Sequence, residues 1–412
     1  MPPSSSISPP RKLPLPWSLA WRLAVGQFFA WGILYYAFAM VAGPLHDDTG
    51  WSQEFVNGGL SLGLLVWGIC ALPAGAWIQR RGARLLMPAG AFLGGVSLIL
   101  MATCTASWGY LLSWILLGCA MAGMLYEPAF AVVTTAFGQE YRRGIILITL
   151  LGGLASTAFL PLTHALVDTY GWRRALISLG LLQVLVAVPL HLGLPGSISN
   201  PSSLEALPPW YRRFIHWAGE LRHYATDRRF IGLSLWFTAH TAAFSALTFL
   251  FAPIHQRLGA DTEHVLWAMA TFGPMQVLGR LALAFWGRDF RAVSVGGWAL
   301  GALILSMVLL LIWPAHMISM LGFAVLYGAA NGITTILKGT SVAELFGTER
   351  YAELNGLLSG PLILGKAASP LVLASMWSRT GMPEAVLVAI LGLFVIAALG
   401  WLLVVKASRG VR

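Results

Sequence analysis

The sequence predicts an all-α membrane protein whose twelve transmembrane helices form two pseudo-symmetric six-helix bundles. Three observations predict it. Of the 412 residues, 57% are hydrophobic and only 10% charged, and a mean hydropathy of +0.74 leaves too little charge to cover a water-facing surface. The apolar residues fall in twelve runs, each near the roughly 20 residues a helix needs to cross the hydrocarbon core. The chain also repeats itself at a displacement of 209 residues: Gly43-Pro44-Leu45-His46 returns as Ala252-Pro253-Ile254-His255, Phe137-Gly138 as Phe346-Gly347, and Pro161-Leu162 as Pro370-Leu371.

Residues 1–18 read as a disordered cytoplasmic tail, because Ser5, Ser6, Pro9, Pro10, Arg11 and Lys12 surround no apolar core of the kind a signal peptide carries. The N-terminal bundle is expected over 19–194, with crossings at 22–44, 53–78, 85–105, 108–137, 144–167 and 174–193. A cytoplasmic linker, 195–228, follows. Its first part is rich in Pro and Ser, and the stretch from Trp210 to Leu221 reads either as a helix lying on the lipid surface or as a solvated connection. The C-terminal bundle is expected over 229–406, with crossings at 229–253, 264–286, 292–313, 316–343, 352–378 and 384–405, and 407–412 form a second tail. Every run should be helical, since the bilayer offers backbone groups no outside partner and the alternating pattern of barrel strands is missing.

Nineteen of the 26 Lys and Arg residues fall on the N-terminal side of these crossings. Arg173, Arg174, Arg257 and Arg379 fall on the other side, and Arg280, Lys338 and Lys366 fall within spans. The positive-inside rule then puts both termini in the cytoplasm, which requires an even number of crossings. The expected location is a plasma membrane, the inner membrane of a bacterium. The net charge of +10 is scattered over short loops rather than gathered on one face, so nucleic acid is not an expected partner. Cys70, Cys104 and Cys119 lie in apolar segments without metal-ligand spacing. No metal and no cofactor are implied; the expected partners are the lipid bilayer and a small organic anion, handled by a monomeric transport unit.

The intramembrane cations carry the functional reading. A cation at mid-membrane costs about 2.5–3.5 kcal/mol even on lenient scales, so it normally faces a polar cavity and something anionic. Arg280 is about 12 Å of helix from Arg288, and Gln276 lies one turn away on the same face; a planar guanidinium beside an amide suits a carboxylate. The alternative is that Arg280 pairs with a helix end or backbone carbonyls. Lys366 is roughly 18 Å of helix from its outer end, with Asn355, Ser359 and Ser369 on its face; these read as a cavity lining or as small polar residues packing helices. Lys338 shares a face with Tyr327, Asn331, Thr334 and Ser341, about 13 Å from Gly347, within reach of the interface by its stem.

Glu127, in Tyr126-Glu127-Pro128, is the acid well inside a span and is a candidate proton carrier or a partner for Lys338. Three cations and one carboxylate leave a positive interior that concentrates anions. His240 and Trp236, together with Gln27, Trp31 and Tyr35, recur at helical spacing, either as a pocket wall or as packing. His46 and His255 stand at the outer ends of crossings one and seven, where a pH-sensing role competes with plain interface packing.

The loop after crossing two, Gly75-Ala76-Trp77-Ile78-Gln79-Arg80-Arg81-Gly82-Ala83-Arg84, resembles the signature of the major facilitator superfamily. Gly75, Arg80, Gly82 and Arg84 match that gating loop, while Gln79 replaces its acid and Ala83 one basic residue. Gly50-Trp51-Ser52, Gly279-Arg280 and Lys366 are similar to the monocarboxylate-transporter and oxalate–formate-antiporter branch. That resemblance implies carboxylate contact by Arg280 and Lys366.

The expected activity is therefore secondary transport of a small mono- or dicarboxylate by alternating access, with Glu127 and Lys338 as the groups that would link it to protons. The substrate-binding set is Arg280, Lys366, Gln276, Asn331, Tyr126, Tyr35 and His240. Proton-coupled efflux of an amphipathic or acidic compound is the second reading. An enzyme is not expected, because no nucleophile, acid pair or metal-ligand constellation is placed for one.

Overall fold

The computed structural model describes residues 16–137, 141–194, 224, 226–286, 291–346 and 351–409. The terminal segments and most of the linker, including Trp210–Leu221, lie outside the described residues. Everything described between the termini is helix and short connection. α1 (Trp17–Ala30), a π-helical turn (Trp31–Tyr36) and α2 (Phe38–Thr49) make the first crossing; α3 (Gln53–Arg81) and α4 (Leu86–Thr103) make the next two. α5 (Ser107–Met124) and α6 (Tyr126–Phe137) form a broken fourth, and α7 (Tyr141–Gly153) leads into α8 (Ala155–Leu182), a second π turn (Gln183–Ala187) and α9 (Val188–His191). The C-terminal half has one helix per crossing: α10 (Arg228–Arg257), α11 (Thr262–Trp286), α12 (Ala292–Ile312), α13 (Met317–Phe346), α14 (Tyr351–Thr380) and α15 (Pro383–Arg409).

Among the described residues, ten helical stretches are long and apolar enough to cross a membrane, and two facts reconcile that number with twelve crossings. The stretch Arg143–His191 is 49 residues long and breaks at Gly171, whose φ of 78° lies in the left-handed region that favours glycine. Beyond the break, Trp172 and Arg173 reach Asp48 at the end of crossing one, whereas at the opposite end Arg22 donates to the Leu190 and Leu192 carbonyls. The stretch therefore runs out and back. α11, with 25 residues, is the twelfth crossing.

The expected boundaries hold to within a few residues except at crossing one, which starts at Trp17 inside the expected tail and continues to Thr49. Local chemistry explains the ends. Ser52 accepts from the Phe55 amide at 3.2 Å at the start of α3, and Asp227 accepts from the Arg229 amide at 2.8 Å at the start of α10; each side chain satisfies an orphan donor of a first helical turn. In the signature loop, Gly82 ends α3 with a φ of 73°, a backbone conformation that favours glycine. Within that loop, Arg81 lies 4.8 Å from the Trp77 ring and Arg84 is exposed. The side chains at positions 75 and 80 are outside the described set.

The two halves meet along crossings two and eleven and along crossings five and eight. Thr157 donates to the Ala270 carbonyl at 2.8 Å, Tyr35 meets Phe249 at 5.1 Å between ring centroids, and Ile363 and Leu371 lie over Gly68 and Gly58. These contacts lie at or beyond the middle of the helices, away from the side where α1 begins.

Candidate functional site

The site is built where crossings one and two face crossing eleven. In crossing one the helix widens over Trp31–Tyr36, with the Ala37 amide bonding to the Gly32 carbonyl at 2.9 Å in the i→i+5 pattern of a π turn. Gly32 is required there, because a Cβ would overlap the Phe159 ring of crossing five. Trp31, Tyr35 and Tyr36 are all buried.

The three rings of Trp31, Tyr35 and Trp67 surround the Lys366 ammonium. Its Nζ lies 3.6 Å from the Trp67 ring centroid, 4.7 Å from that of Tyr35 and 5.7 Å from that of Trp31. Ring faces carry negative quadrupole density, and a desolvated cation–π contact is worth about 2 kcal/mol, comparable to the cost of the cation's burial. The backbone beneath is fixed by crossing seven: Ser245 donates to the Lys366 carbonyl at 2.9 Å and Ser369 to the Ala242 carbonyl at 2.8 Å. Ser369 thus ties crossing eleven to crossing seven. Asn355 lies among the side chains outside the described set.

Arg280 makes the second bridge between halves. Its Nη1 donates to the Thr149 carbonyl at 2.7 Å, near the C-terminal end of α7, where unpaired carbonyls attract a cation. The helix-end pairing that the sequence left as an alternative is therefore present, yet it leaves donors over: Arg280 is 9% exposed and its Nε has no partner. Gln276 is buried on the same face, and no hydrogen bond joins it to Arg280 among the described residues. Tyr36 and Tyr126 lie within electrostatic reach of the guanidinium.

Glu127 is a correction to the expectation of a buried carboxylate. Crossing four breaks at Leu125, where ψ of −155° ends α5, and Gln27 donates to the freed Met124 carbonyl at 2.6 Å. Glu127 then falls in the first turn of α6 and is exposed. It remains within electrostatic reach of both Lys338 and Lys366, although no ion pair joins it to either among the described residues.

Residues 23–286 match the sequence profile of the Major Facilitator Superfamily. The chain belongs to that superfamily. It is 26% identical over 316 residues to monocarboxylate transporter 13 of Rattus norvegicus, which covers 73% of this chain and 71% of that one. The structure superposes on the nucleoside transporter NupG with a TM-score of 0.72 at 15% identity, over 94% of this chain and 98% of that one. A bacterial homologue of the human drug peptide transporters PepT1 and PepT2 also gives a TM-score of 0.72, at 13% identity, over 96% and 98%. At such identities the superpositions carry the fold alone.

Within this superfamily member, the remaining predicted residues separate. His240 is buried with its Nε2 unpaired, beside Asn331 and within reach of Lys338, so these three do come together. Tyr126 stacks on Phe130 at 5.1 Å and lies 4.8 Å from Trp31, joining the ring set. Trp236 does not: it stacks on Phe237 at 4.6 Å, its ring fills the space over Gly296 and its backbone amide closes on Gly400, inside the packing of the C-terminal half. Gln27 serves the helix break. His46 and His255 bond to the Trp51 and Phe251 carbonyls at 2.5 and 2.7 Å, as interface and packing residues.

Sequence reasoning missed Tyr36 and, above all, Trp67. The internal repeat held a signal for it, since a displacement of 209 residues makes Trp67 the counterpart of Gln276, as Thr157 is of Lys366.

Proposed function

We propose that this transporter moves a small organic anion, a mono- or dicarboxylate, by alternating access across a bacterial inner membrane, with both termini cytoplasmic and one chain as the transport unit. The observation that carries the reading is that two cations of the C-terminal half, Lys366 and Arg280, each terminate on the N-terminal half, on the Trp67 ring and the Thr149 carbonyl. A carboxylate that takes either charge changes what holds the halves together, which is how binding energy can be coupled to a rocking motion. The name of the rat relative supports the same substrate class.

Glu127 is the group that would link the cycle to protons, through its electrostatic contact with Lys338 and Lys366. Uptake of radiolabelled carboxylates into proteoliposomes tests the proposal. Arg280→Ala and Lys366→Ala should each lose at least tenfold in rate; wild-type rates in both variants would remove it.

A further inference from the structure

Between Arg280 and Lys366 the site wall is aromatic. Trp31 lies 4.8 Å from Tyr126, 5.2 Å from Tyr35 and 5.8 Å from Trp67, centroid to centroid. Tyr36, 6.2 Å from Trp31, completes the connection towards Arg280. Five rings thus form one contacting set, with Lys366 over three of them and Arg280 within electrostatic reach of Tyr36 and Tyr126. Three of these rings hold the Lys366 ammonium, and Tyr36 and Tyr126 carry the set beyond what that cation needs.

The buried donors left over within this arrangement include the indole Nε1 of Trp31 and the Nε of Arg280. Such orphans are rare in folded proteins unless a ligand or water takes them. The faces of Trp31, Tyr35 and Trp67 now hold an ammonium. A carboxylate drawing that ammonium to itself would leave those faces to the rest of its own molecule, and aromatic rings in edge or offset contact gain beyond simple area burial.

We propose that the anion is an aromatic carboxylate, its charge between Lys366 and Arg280 and its flat ring among Trp31, Tyr35 and Trp67. This rests on the organic-anion reading above and narrows it to one class.

Benzoate and cyclohexanecarboxylate separate the possibilities, since they share a charge, a carbon count and a ring size. Plain apolar burial favours the saturated acid, which has more apolar surface; an aromatic wall favours benzoate. Titration of the purified full-length chain at neutral pH should give a dissociation constant at least fivefold lower for benzoate. Trp67→Leu should lower that ratio to below half its wild-type value, and Trp67→Phe should retain most of it. A smaller wild-type preference, or one that survives Trp67→Leu, overturns the aromatic assignment. Binding of both acids without the preference, or of aliphatic carboxylates alone, overturns the aromatic assignment and leaves the organic-anion reading standing, whereas a chain that binds neither these two acids nor any aliphatic mono- or dicarboxylate removes both.

Discussion

The ammonium of Lys366 lies 3.6 Å from the centre of the Trp67 ring, so a cation of crossing eleven is held by a ring of crossing two in the opposite half. With Tyr35 and Trp31 behind it, the ring set substitutes for the carboxylate that a buried lysine usually requires.

Lys366→Met should separate function from folding. The methionine stem keeps much of the lysine's length while removing a charge that is costly at this depth. Thermal denaturation in detergent should show a melting temperature equal to or above wild type, while carboxylate uptake in proteoliposomes falls at least tenfold. A variant that melts early without losing specific activity would make Lys366 a structural residue.

Crossings eight and ten pack backbone to backbone beside the site. A Cβ at Gly332 would run into the main chain of Gln276, and one at Gly279 into that of Ala329. Neither backbone can turn aside, so Gly332→Ala should destabilise by about 1–3 kcal/mol, read as a lower melting temperature. Gly301→Ala, with open space around its position, should stay close to wild type.

Cys70 and Cys119 bring their Sγ atoms to 3.6 Å between crossings two and four. Copper–phenanthroline with oxygen should remove two electrons and two protons from the pair and form an intramolecular disulfide, detected as a mass loss of about two hydrogens on one linked peptide pair. Cys104 should remain alkylatable.

Asp227 is held below the ordinary carboxylate range, first by the Arg229 side chain and then by main-chain amides. A carboxylate with a depressed folded-state value contributes stability above its unfolded value and loses it as pH falls through the folded one. Asp227→Asn should therefore lower the melting temperature slightly at neutral pH, and the difference should vanish once the pH is below the ordinary carboxylate range. A difference independent of pH would assign the effect to the amide cap alone.

The architecture was legible because membrane helices are written in composition: apolar length, loop arginines and a repeat at Pro44/Pro253 and Pro161/Pro370 each point the same way. The cations Arg280 and Lys366 were legible for the same reason, since a charge in an apolar run is conspicuous. Their partners were not. Which face of a helix meets the opposite half depends on breaks such as the π turn at Trp31–Tyr36 and the end of α5 at Leu125, and neither has a composition signal. That is why wall and packing stayed open for Trp236, why Glu127 read as buried although it is exposed, and why Trp67 was passed over.

The central claim is that the Lys366 ammonium and the Trp67 ring act as one unit in anion binding. A double-mutant cycle on the carboxylate dissociation constant, with Lys366→Met, Trp67→Leu and the pair, measures it. The account predicts a coupling energy of at least about 1 kcal/mol, with the double variant hardly worse than Lys366→Met alone. Losses that add, within about 0.3 kcal/mol, would show that the two residues act independently and would contradict it.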